Sequence, residues 1–412
     1  MKINNMEYIP SKKILQNYAK VMVHYALWSG KGIKKGDVVL LIASEISKPL
    51  YVAIRNEILE SGGNIISNYL PDGNDRYQIG KDFYLRAKSH QLNFFPAKYM
   101  RGLVDEIDHS IYIIAETNPH ELKGIDTKKI MQRGKAYKPY MDWRNQKEAK
   151  GKFSWTLCLY GTSAMAKEAQ ITEKEYWAQI KKACFLNDKD PVKSWRKVQS
   201  EIEQNRKKLN AITKKTEKFH VFGKDVDLWI TPGEKRQWLG GGGANIPSFE
   251  VFTSPDWRGT EGWIRFNQPL YRYGNLITGI ELEFKKGRVF KSKARKNEKV
   301  LKAMIATPGA DKVGEFSLTD KRHSKITKFM AETLFDENMG GSNGNTHIAL
   351  GAAYKDAYTG DVSKLTKKQS EKLGFNDSSV HTDIISTIER TVTAHLHDGK
   401  EKVIYKNGMF VL

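Results

Sequence analysis

The first third of the chain alternates short apolar runs with amphipathic stretches. Residues 38–43 form a continuous apolar run, which is typical of a strand buried on both faces. Residues 49–59 then carry apolar side chains at helical spacing, and residues 64–70 and 110–115 have the character of two further strands. This alternation predicts a parallel βαβ domain over residues 1–115.

The remainder of the chain has a different pattern. Residues 192–218 are highly charged but carry one apolar stripe, which predicts a solvated helix with a single buried face. Residues 219–230, 276–290 and 403–412 each consist of two strand-forming runs joined by turn residues, so each predicts a hairpin. We therefore expect residues 116–412 to form a larger, mostly antiparallel β domain with helices, and the fold class to be α/β followed by α+β.

The length and composition indicate a globular protein with substantial cores. The chain has 412 residues, of which 40% are hydrophobic, and only two cysteines. Because two cysteines are too few for a disulfide framework, we expect a reducing compartment and a cytoplasmic location. Residues 1–13 lack the apolar core of an export signal, and no apolar run is long enough to cross a membrane.

The net charge is the one unusual bulk property. The chain has 68 Lys and Arg against 47 Asp and Glu, which gives a formal charge of +21. A basic surface attracts nucleic acid because bound phosphates release their counterions. However, the lysines are spread along the chain with acids beside most of them, and no RNA-binding or zinc-finger motif occurs. We therefore expect no nucleic-acid partner, and basic nucleic-acid binding is kept only as an alternative function.

Candidate metal ligands are concentrated in the last two-fifths of the chain. They are Glu250, Glu315, Glu337, His347, His381 and Asp383. Carboxylates and imidazoles of this kind, brought together by a fold, suit one or two divalent ions. The set predicts a metal-dependent hydrolase. Taken singly, Glu250 also fits a surface acid on an edge strand, and Glu315 also fits a solvated turn residue.

The last part of this set is more specific. His381 and Asp383 are two residues apart, so on a strand both side chains point to the same face. They suit two ligands of one metal, although a core His hydrogen-bonded to an Asp is an equal alternative. His347 and Tyr354 flank small and apolar residues, which predicts a buried or pocket-lining segment. His395 and His397 also share a strand face and form a rival pair, accompanied by no acid cluster except Asp398. No GxSxG or HExxH motif occurs.

Several sequence blocks, in the same order, carry a family resemblance along nearly the whole chain. The blocks are KKGDVVLLIAS, YIIAETNP, WTLCLYGTSAMAKEAQITEKEYW, NIPSFEVFTSP, GEFSL, TLFDEN, HIALGAAY and VHTDIIS. Together they resemble the aminopeptidase T and aminopeptidase S group of metallo-aminopeptidases. The resemblance implies an enzyme that removes amino-terminal residues from peptides through a water activated by a dinuclear metal centre. It implies two divalent ions, which would be zinc, cobalt or manganese.

The resemblance also assigns roles to residues. The implied metal ligands are Glu250, Glu315, Glu337, His347, His381 and Asp383. Glu315 is expected to bridge the two ions, Glu337 to act as a ligand or as the proton shuttle, and Tyr354 to be the active-site tyrosine. The implied partners are peptides with a free amino terminus and a second copy of the chain in a homodimer.

Two features depart from the usual family pattern. Ser248 and Phe249 stand where the family usually has Asp-Gly, and the glycine-rich residues 339–345 lengthen the link between Glu337 and His347. They motivate an alternative in which the chain is a catalytically inactive or specialised binding member of the same fold.

Overall fold

The computed structural model describes residues 8–74 and 76–412. Its first sheet consists of five parallel strands, which are Val38–Ser44 (β1), Asn64–Leu70 (β2), His109–Ile114 (β3), Ser154–Leu159 (β4) and Asn245–Ile246 (β7). They lie in the order β2-β1-β3-β4-β7. The three strands that the apolar runs predict are confirmed, with bounds that differ by one residue at most.

Helices pack against this sheet and complete the first hydrophobic core. They are Lys12–His24 (α1), Lys48–Glu60 (α2), Ser163–Glu168 (α7) and Glu173–Ala183 (α8). The helices Ile79–Arg86 (α3), Ser89–Leu92 (α4), Ala97–Glu106 (α5) and Thr127–Ala149 (α6) lie outside that core. The core joins sheet residues such as Leu41 and Ile111 to helix residues such as Tyr18 and Trp177, all of them inaccessible to solvent. The predicted α/β first part is therefore confirmed.

The predicted domain boundary at residue 115 stays a prediction. The parallel sheet itself continues beyond that point, because β4 pairs with β3 and β7 pairs with β4. Strand β7 lies only a few residues before Glu250, so the edge of the parallel sheet leads directly to the candidate metal centre.

The charged stretch after residue 190 forms a helix, Pro191–Thr213 (α9). Its buried stripe includes Trp195, Ile202 and Leu209, as the apolar spacing predicts. The predicted end at residue 218 is wrong. The helix ends at Thr213 because the chain from Thr216 onward pairs as a strand with Leu396.

The second part contains an eight-stranded antiparallel sheet. Its strands are Thr216–Gly223 (β5), Val226–Thr231 (β6), Asp256–Arg265 (β9), Glu281–Lys285 (β12), Arg288–Lys293 (β13), Arg390–Leu396 (β17), Glu401–Lys406 (β18) and Met409–Phe410 (β19). The first and third predicted hairpins are β5-β6 and β18-β19. The middle hairpin, β12-β13, begins later than predicted, because Leu276 belongs to a separate ribbon of Leu270–Arg272 (β10) and Asn275–Ile277 (β11).

A four-stranded antiparallel sheet carries the candidate metal centre. Its strands are Glu250–Thr253 (β8), Val313–Thr319 (β14), Asn345–Gly351 (β15) and His381–Ser386 (β16), and they lie in the order β16-β15-β14-β8. The nearby helices are Glu298–Ile305 (α10), Thr333–Asp336 (α11) and Lys367–Lys372 (α12).

Three expectations concern the compartment and the membrane. Cys158 and Cys184 are both free and buried. Across the part of the chain that the structure describes, no helix is both long and apolar enough to span a bilayer. The predicted lack of an export signal rests in part on residues 1–7, which lie outside the described residues.

Candidate metal centre

Five of the six predicted ligands lie on one face of the four-stranded sheet. Directly opposed residues of an antiparallel sheet point to the same face. Glu315, Ala349 and Asp383 form one such row across three strands. In the neighbouring rows, His347 opposes Ser317 and His381 opposes Gly351, while Glu250 opposes Thr319. Ala349 separates two carboxylates with only a methyl group, which leaves space between them.

The opposite face of the same sheet carries a row of apolar side chains. Val251, Phe316, Ile348 and Ile384 alternate with the polar positions and join the second hydrophobic core. Alternation with a period of two therefore fixes which side chains face the core and which face the site. A one-residue shift of register would bury the carboxylates in that core.

Glu315 lies at the centre of the polar face. Its carboxylate is 3.3 Å from His347 Nε2 through Oε1 and 3.5 Å from His381 Nε2 through Oε2. Gly314 allows this placement, because a Cβ there would lie 2.3 Å from the carbonyl oxygen of Ala352. Glu315 is buried in a strand, so the alternative of a solvated turn residue is wrong.

The donor atoms form two triads that share Glu315. In one, ligand atoms of Glu250, Glu315 and His347 lie within 4.8 Å of one another, and in the other, those of Glu315, His381 and Asp383 do so. His347 Nε2 is 3.2 Å from Glu250 Oε2, and His381 Nε2 is 3.4 Å from Asp383 Oδ1. The geometry therefore offers two adjacent positions for a cation, with one carboxylate common to both.

Backbone and side-chain groups orient these donors. Ser317 Oγ donates to Glu250 Oε2 at 2.7 Å. His381 Nδ1 lies 2.8 Å from the carbonyl oxygen of Ala352, so this nitrogen carries the proton and donates. The other ring nitrogen, Nε2, is then left as a ligand atom on the side of Glu315 and Asp383, which is the arrangement common among metal-binding histidines.

Glu337 lies beside the two triads but belongs to neither. It follows α11, and its Oε1 accepts from Asn245 Nδ2 at 3.0 Å and from Asn338 Nδ2 at 3.3 Å. At the far end of the glycine-rich link, Asn345 Nδ2 donates to the Glu337 carbonyl oxygen at 2.8 Å, which holds the two ends of the link together. Its second carboxylate oxygen has no protein donor among the bonds of the described residues.

Tyr354 borders the same site just after β15. Its ring contacts His381 edge to face, with centroids 4.8 Å apart, and its backbone N–H donates to Ser254 Oγ. Desolvation and the negative charge of Glu315 raise the pKa of Tyr354. Its hydroxyl therefore stays protonated at neutral pH and serves as a hydrogen-bond donor.

The electrostatics of the face favour a cation. Burial and then repulsion from Glu250, Asp383 and Glu315 raise the pKa of Glu337 well above its ordinary value. Burial lowers the pKa of His347, but its bonds to Glu250 and Glu315 outweigh burial and raise that pKa to about 10. A proton on His347 thus offsets part of the crowded negative charge. Divalent ions would offset more of it, and this set of oxygen and imidazole donors fits them.

Phe249 does not face the site. It is fully buried and stacks on Trp195 with centroids 5.3 Å apart, while its N–H donates to Asn338 Oδ1 at 2.6 Å. The side chain that replaces the usual family pattern therefore packs into the first core. It fixes the entry to β8 and leaves the cleft open.

The candidate ligands open into a cleft with a volume of about 410 Å³. Glu250, Glu315, Glu337, Tyr354, His381 and Asp383 line it. His347 lies beneath, with no solvent exposure. Sequence reasoning did not select Ser317 or Asn245. Ser317 shares the strand face of Glu315 at a spacing of two, which the sequence shows directly. The contact of Asn245 with Glu337 joins the parallel sheet to the residue after α11 and has no local signal in the sequence.

Comparisons with known proteins find relatives along nearly the whole chain. A family model described as thermophilic metalloprotease (M29) matches residues 11–410. Aminopeptidase AmpS of Bacillus subtilis is 28% identical over 416 residues, covering 96% of this chain and 97% of its own. Aminopeptidase T of Thermus thermophilus is 29% identical over 418 residues, covering 95% and 98%.

Solved structures share the fold. Wild-type AmpT from Thermus thermophilus superposes with a TM-score of 0.80 at 23% identity, covering 97% of this chain and 100% of that chain. A 2,5-dihydroxypyridine dioxygenase from Pseudomonas putida superposes with a TM-score of 0.51 at 13% identity. Identities this low show the fold alone, and a fold hosts different chemistries, so the reaction must be argued from the site.

Proposed function

The chain belongs to the thermophilic metalloprotease family M29, and on that premise we propose that it is an aminopeptidase that removes amino-terminal residues from peptides with two divalent metal ions. One observation carries the proposal: two triads of donor atoms share the single carboxylate of Glu315. A shared carboxylate between adjacent cation positions is the arrangement of dinuclear hydrolytic sites. Zinc, cobalt and manganese all suit a mixed set of carboxylates and imidazoles.

We assign one position to Glu250, Glu315 and His347 and the other to Glu315, His381 and Asp383. Bound there, the ions would polarise the scissile carbonyl and lower the pKa of a water molecule. Glu337 is assigned as the proton shuttle, and as a ligand only secondarily. Two amides hold its Oε1, which leaves Oε2 available to move a proton from the attacking water to the leaving amine.

The cleft also accounts for a free amino terminus as the preferred end. It is lined by carboxylates although the chain as a whole carries +21, so its charge opposes that of the rest of the molecule. A protonated amine is attracted to such a site by its charge, and a neutral amine can bind a metal ion through its nitrogen lone pair. An acylated nitrogen offers neither a charge nor an available lone pair.

The test of the function is a panel of chromogenic amino-acid amides, each paired with its N-acetylated form. After zinc, cobalt or manganese is added to metal-free protein, at least one free amide is expected to be hydrolysed. None of the acetylated partners should be cleaved at a comparable rate. A panel in which every amide stays intact under all three metals would exclude the proposed function, and equal cleavage of both forms would exclude an aminopeptidase.

Tyr354→Phe is expected to lower kcat by about 10²-fold with little change in KM. We place the Tyr354 hydroxyl against the oxyanion that develops on the scissile carbonyl, and loss of one such donor typically has this effect. Tyr358→Phe is the matched control, because Tyr358 does not line the cleft among the described residues. Steady-state kinetics on the best amide measures both values. A kcat within a factor of two of the parent for Tyr354→Phe would remove the hydroxyl from the mechanism.

Two further properties belong to this proposal. We expect a homodimer, on the basis of the family relationship, and sedimentation or light scattering measures it directly. A cytoplasmic location is supported by the two free, buried cysteines, which need no oxidising environment. The alternative of an inactive scaffold loses its main motive, since Phe249 packs in the core rather than in the cleft.

A further inference from the structure

A short stretch of main chain in the wall of the cleft has no partner in the protein. Gly240, Gly241 and Gly242 line the same cleft as Glu250 and Tyr354. Within residues 8–74 and 76–412, no hydrogen bond joins the N–H or C=O groups of these three glycines to another protein group. Gly241 is buried and Gly240 half-buried, whereas Gly242 is exposed. Buried backbone groups are normally paired, so the unpaired groups of Gly240 and Gly241 at a binding cleft call for an external partner.

The stretch is held firmly at both ends. Leu239 and Phe252 exchange two backbone hydrogen bonds, at 2.7 and 3.0 Å, just before it. After it, Ala244 accepts from the backbone N–H of Leu157 at 2.9 Å. The unpaired groups therefore belong to an anchored segment.

Glycine is required where the segment meets the candidate metal centre. A Cβ on Gly240 would lie 2.3 Å from the carbonyl oxygen of Glu250, so only glycine permits this approach. Gly242 differs, because it is exposed and a Cβ there would meet nothing within 4 Å. Close packing thus explains why residue 240 is glycine. No packing contact explains why the exposed, unpaired residue 242 is also glycine.

We propose that Gly240, Gly241 and Gly242 bind the main chain of the peptide substrate beyond its scissile bond. This rests on the proposed aminopeptidase function. With the amino terminus at the metal centre, only residues on the carboxyl side of the cleaved bond remain to run along the cleft. Gly240 and Gly241 have positive φ angles of 147° and 72°, so the segment is a bend rather than a strand edge. Its unpaired N–H and C=O groups can form hydrogen bonds with a peptide main chain whatever the peptide's side chains. The substrate class is therefore peptides of three or more residues, recognised along their backbone.

Gly242→Pro and Gly242→Ala form a matched pair that tests this binding. Proline removes the N–H of residue 242, whereas alanine keeps it and adds a methyl group to open space. Each variant is assayed with two substrates that share one amino-terminal residue, a p-nitroanilide and a tetrapeptide amide. For Gly242→Pro we expect KM for the tetrapeptide to rise roughly 3- to 10-fold, as for one lost hydrogen bond. KM for the p-nitroanilide, and both KM values of Gly242→Ala, should stay at the parent level.

A second measurement uses the unmodified protein and does not depend on how the proline variant folds. Each peptide bond of the tetrapeptide beyond the scissile one is replaced in turn by an ester, which removes one substrate N–H. At least one ester is expected to raise KM by a similar factor. An active parent whose KM is unaffected by every ester and by Gly242→Pro would overturn the inference while leaving the aminopeptidase function intact. A parent inactive on both substrates would remove the function and this inference with it.

Discussion

Glu315→Gln is expected to lower kcat/KM by about 10⁴-fold or more, the largest effect of any single substitution in this chain. The carboxylate lies in both donor triads, so its loss weakens both cation positions at once. Residues that act as one catalytic unit typically show losses of this size when a single member is removed. Glutamine keeps the size of the side chain, and the fold should persist because the opposite face of the strand supplies the core contacts.

The metal content should fall with the activity. Elemental analysis of Glu315→Gln is expected to give fewer than two bound ions per chain, against two for the parent. Glu283→Gln is the matched control, because this half-buried strand residue lies outside both triads and pairs with Lys291 at 2.9 Å, and such surface pairs contribute roughly 0–1 kcal/mol. Activity within tenfold of the parent and an unchanged metal content in Glu315→Gln would contradict the bridging role.

His381→Ala is expected to lower kcat/KM by about 10³-fold. It removes the ligand atom that faces Glu315 and Asp383, together with the ring that packs against Tyr354 at 4.8 Å. Loss of a direct ligand should exceed the 10- to 100-fold cost that is typical of losing only a group that orients a ligand. Kinetics on the best amide, measured with metal in excess, distinguishes weakened metal binding from loss of catalysis.

His395→Ala is the control for that substitution. His395 lies on β17 in the eight-stranded sheet, pairs with Glu401 at 3.3 Å and belongs to neither triad. The strand ends at Leu396, so His397 does not extend a shared strand face as the sequence suggests. We expect near-parent activity in His395→Ala. The reverse outcome, with His395 essential and His381 dispensable, would place the metal at the surface histidine pair instead.

Much of the fold follows from local pattern. The apolar runs that become β1 and β3 are strong because these inner strands are buried on both faces over most of their length. The edge strand β2 is largely exposed, and its pattern is weaker. Strand β4 was not predicted, since Ser154–Leu159 mixes polar and apolar residues, and β7 has only two residues. The end of α9 was misplaced because lysines after Thr213 suit a helix, and only the distant partner Leu396 makes the chain a strand there.

The residues of the candidate site could be predicted from the sequence, but the way in which the fold brings them together could be predicted only in part. His381 and Asp383 share a face because of their spacing alone, which a sequence reveals directly. Glu250 and Glu315 were ambiguous as single residues. Their convergence depends on the pairing register of β8, β14 and β15, which no local pattern encodes. The amides that donate to Glu337 belong to Asn245 in the parallel sheet and to its chain neighbour Asn338, and no sequence pattern predicts these contacts.

The dinuclear centre is tested most directly by metal titration of the parent protein. Protein freed of metal by a chelator is titrated with zinc, cobalt or manganese, while bound metal and amidase activity are measured on the same samples. The account predicts that activity is absent at the start and that bound metal and activity rise together to a plateau at about two ions per chain. Full activity without metal, or a plateau of activity at a single bound ion, would contradict it.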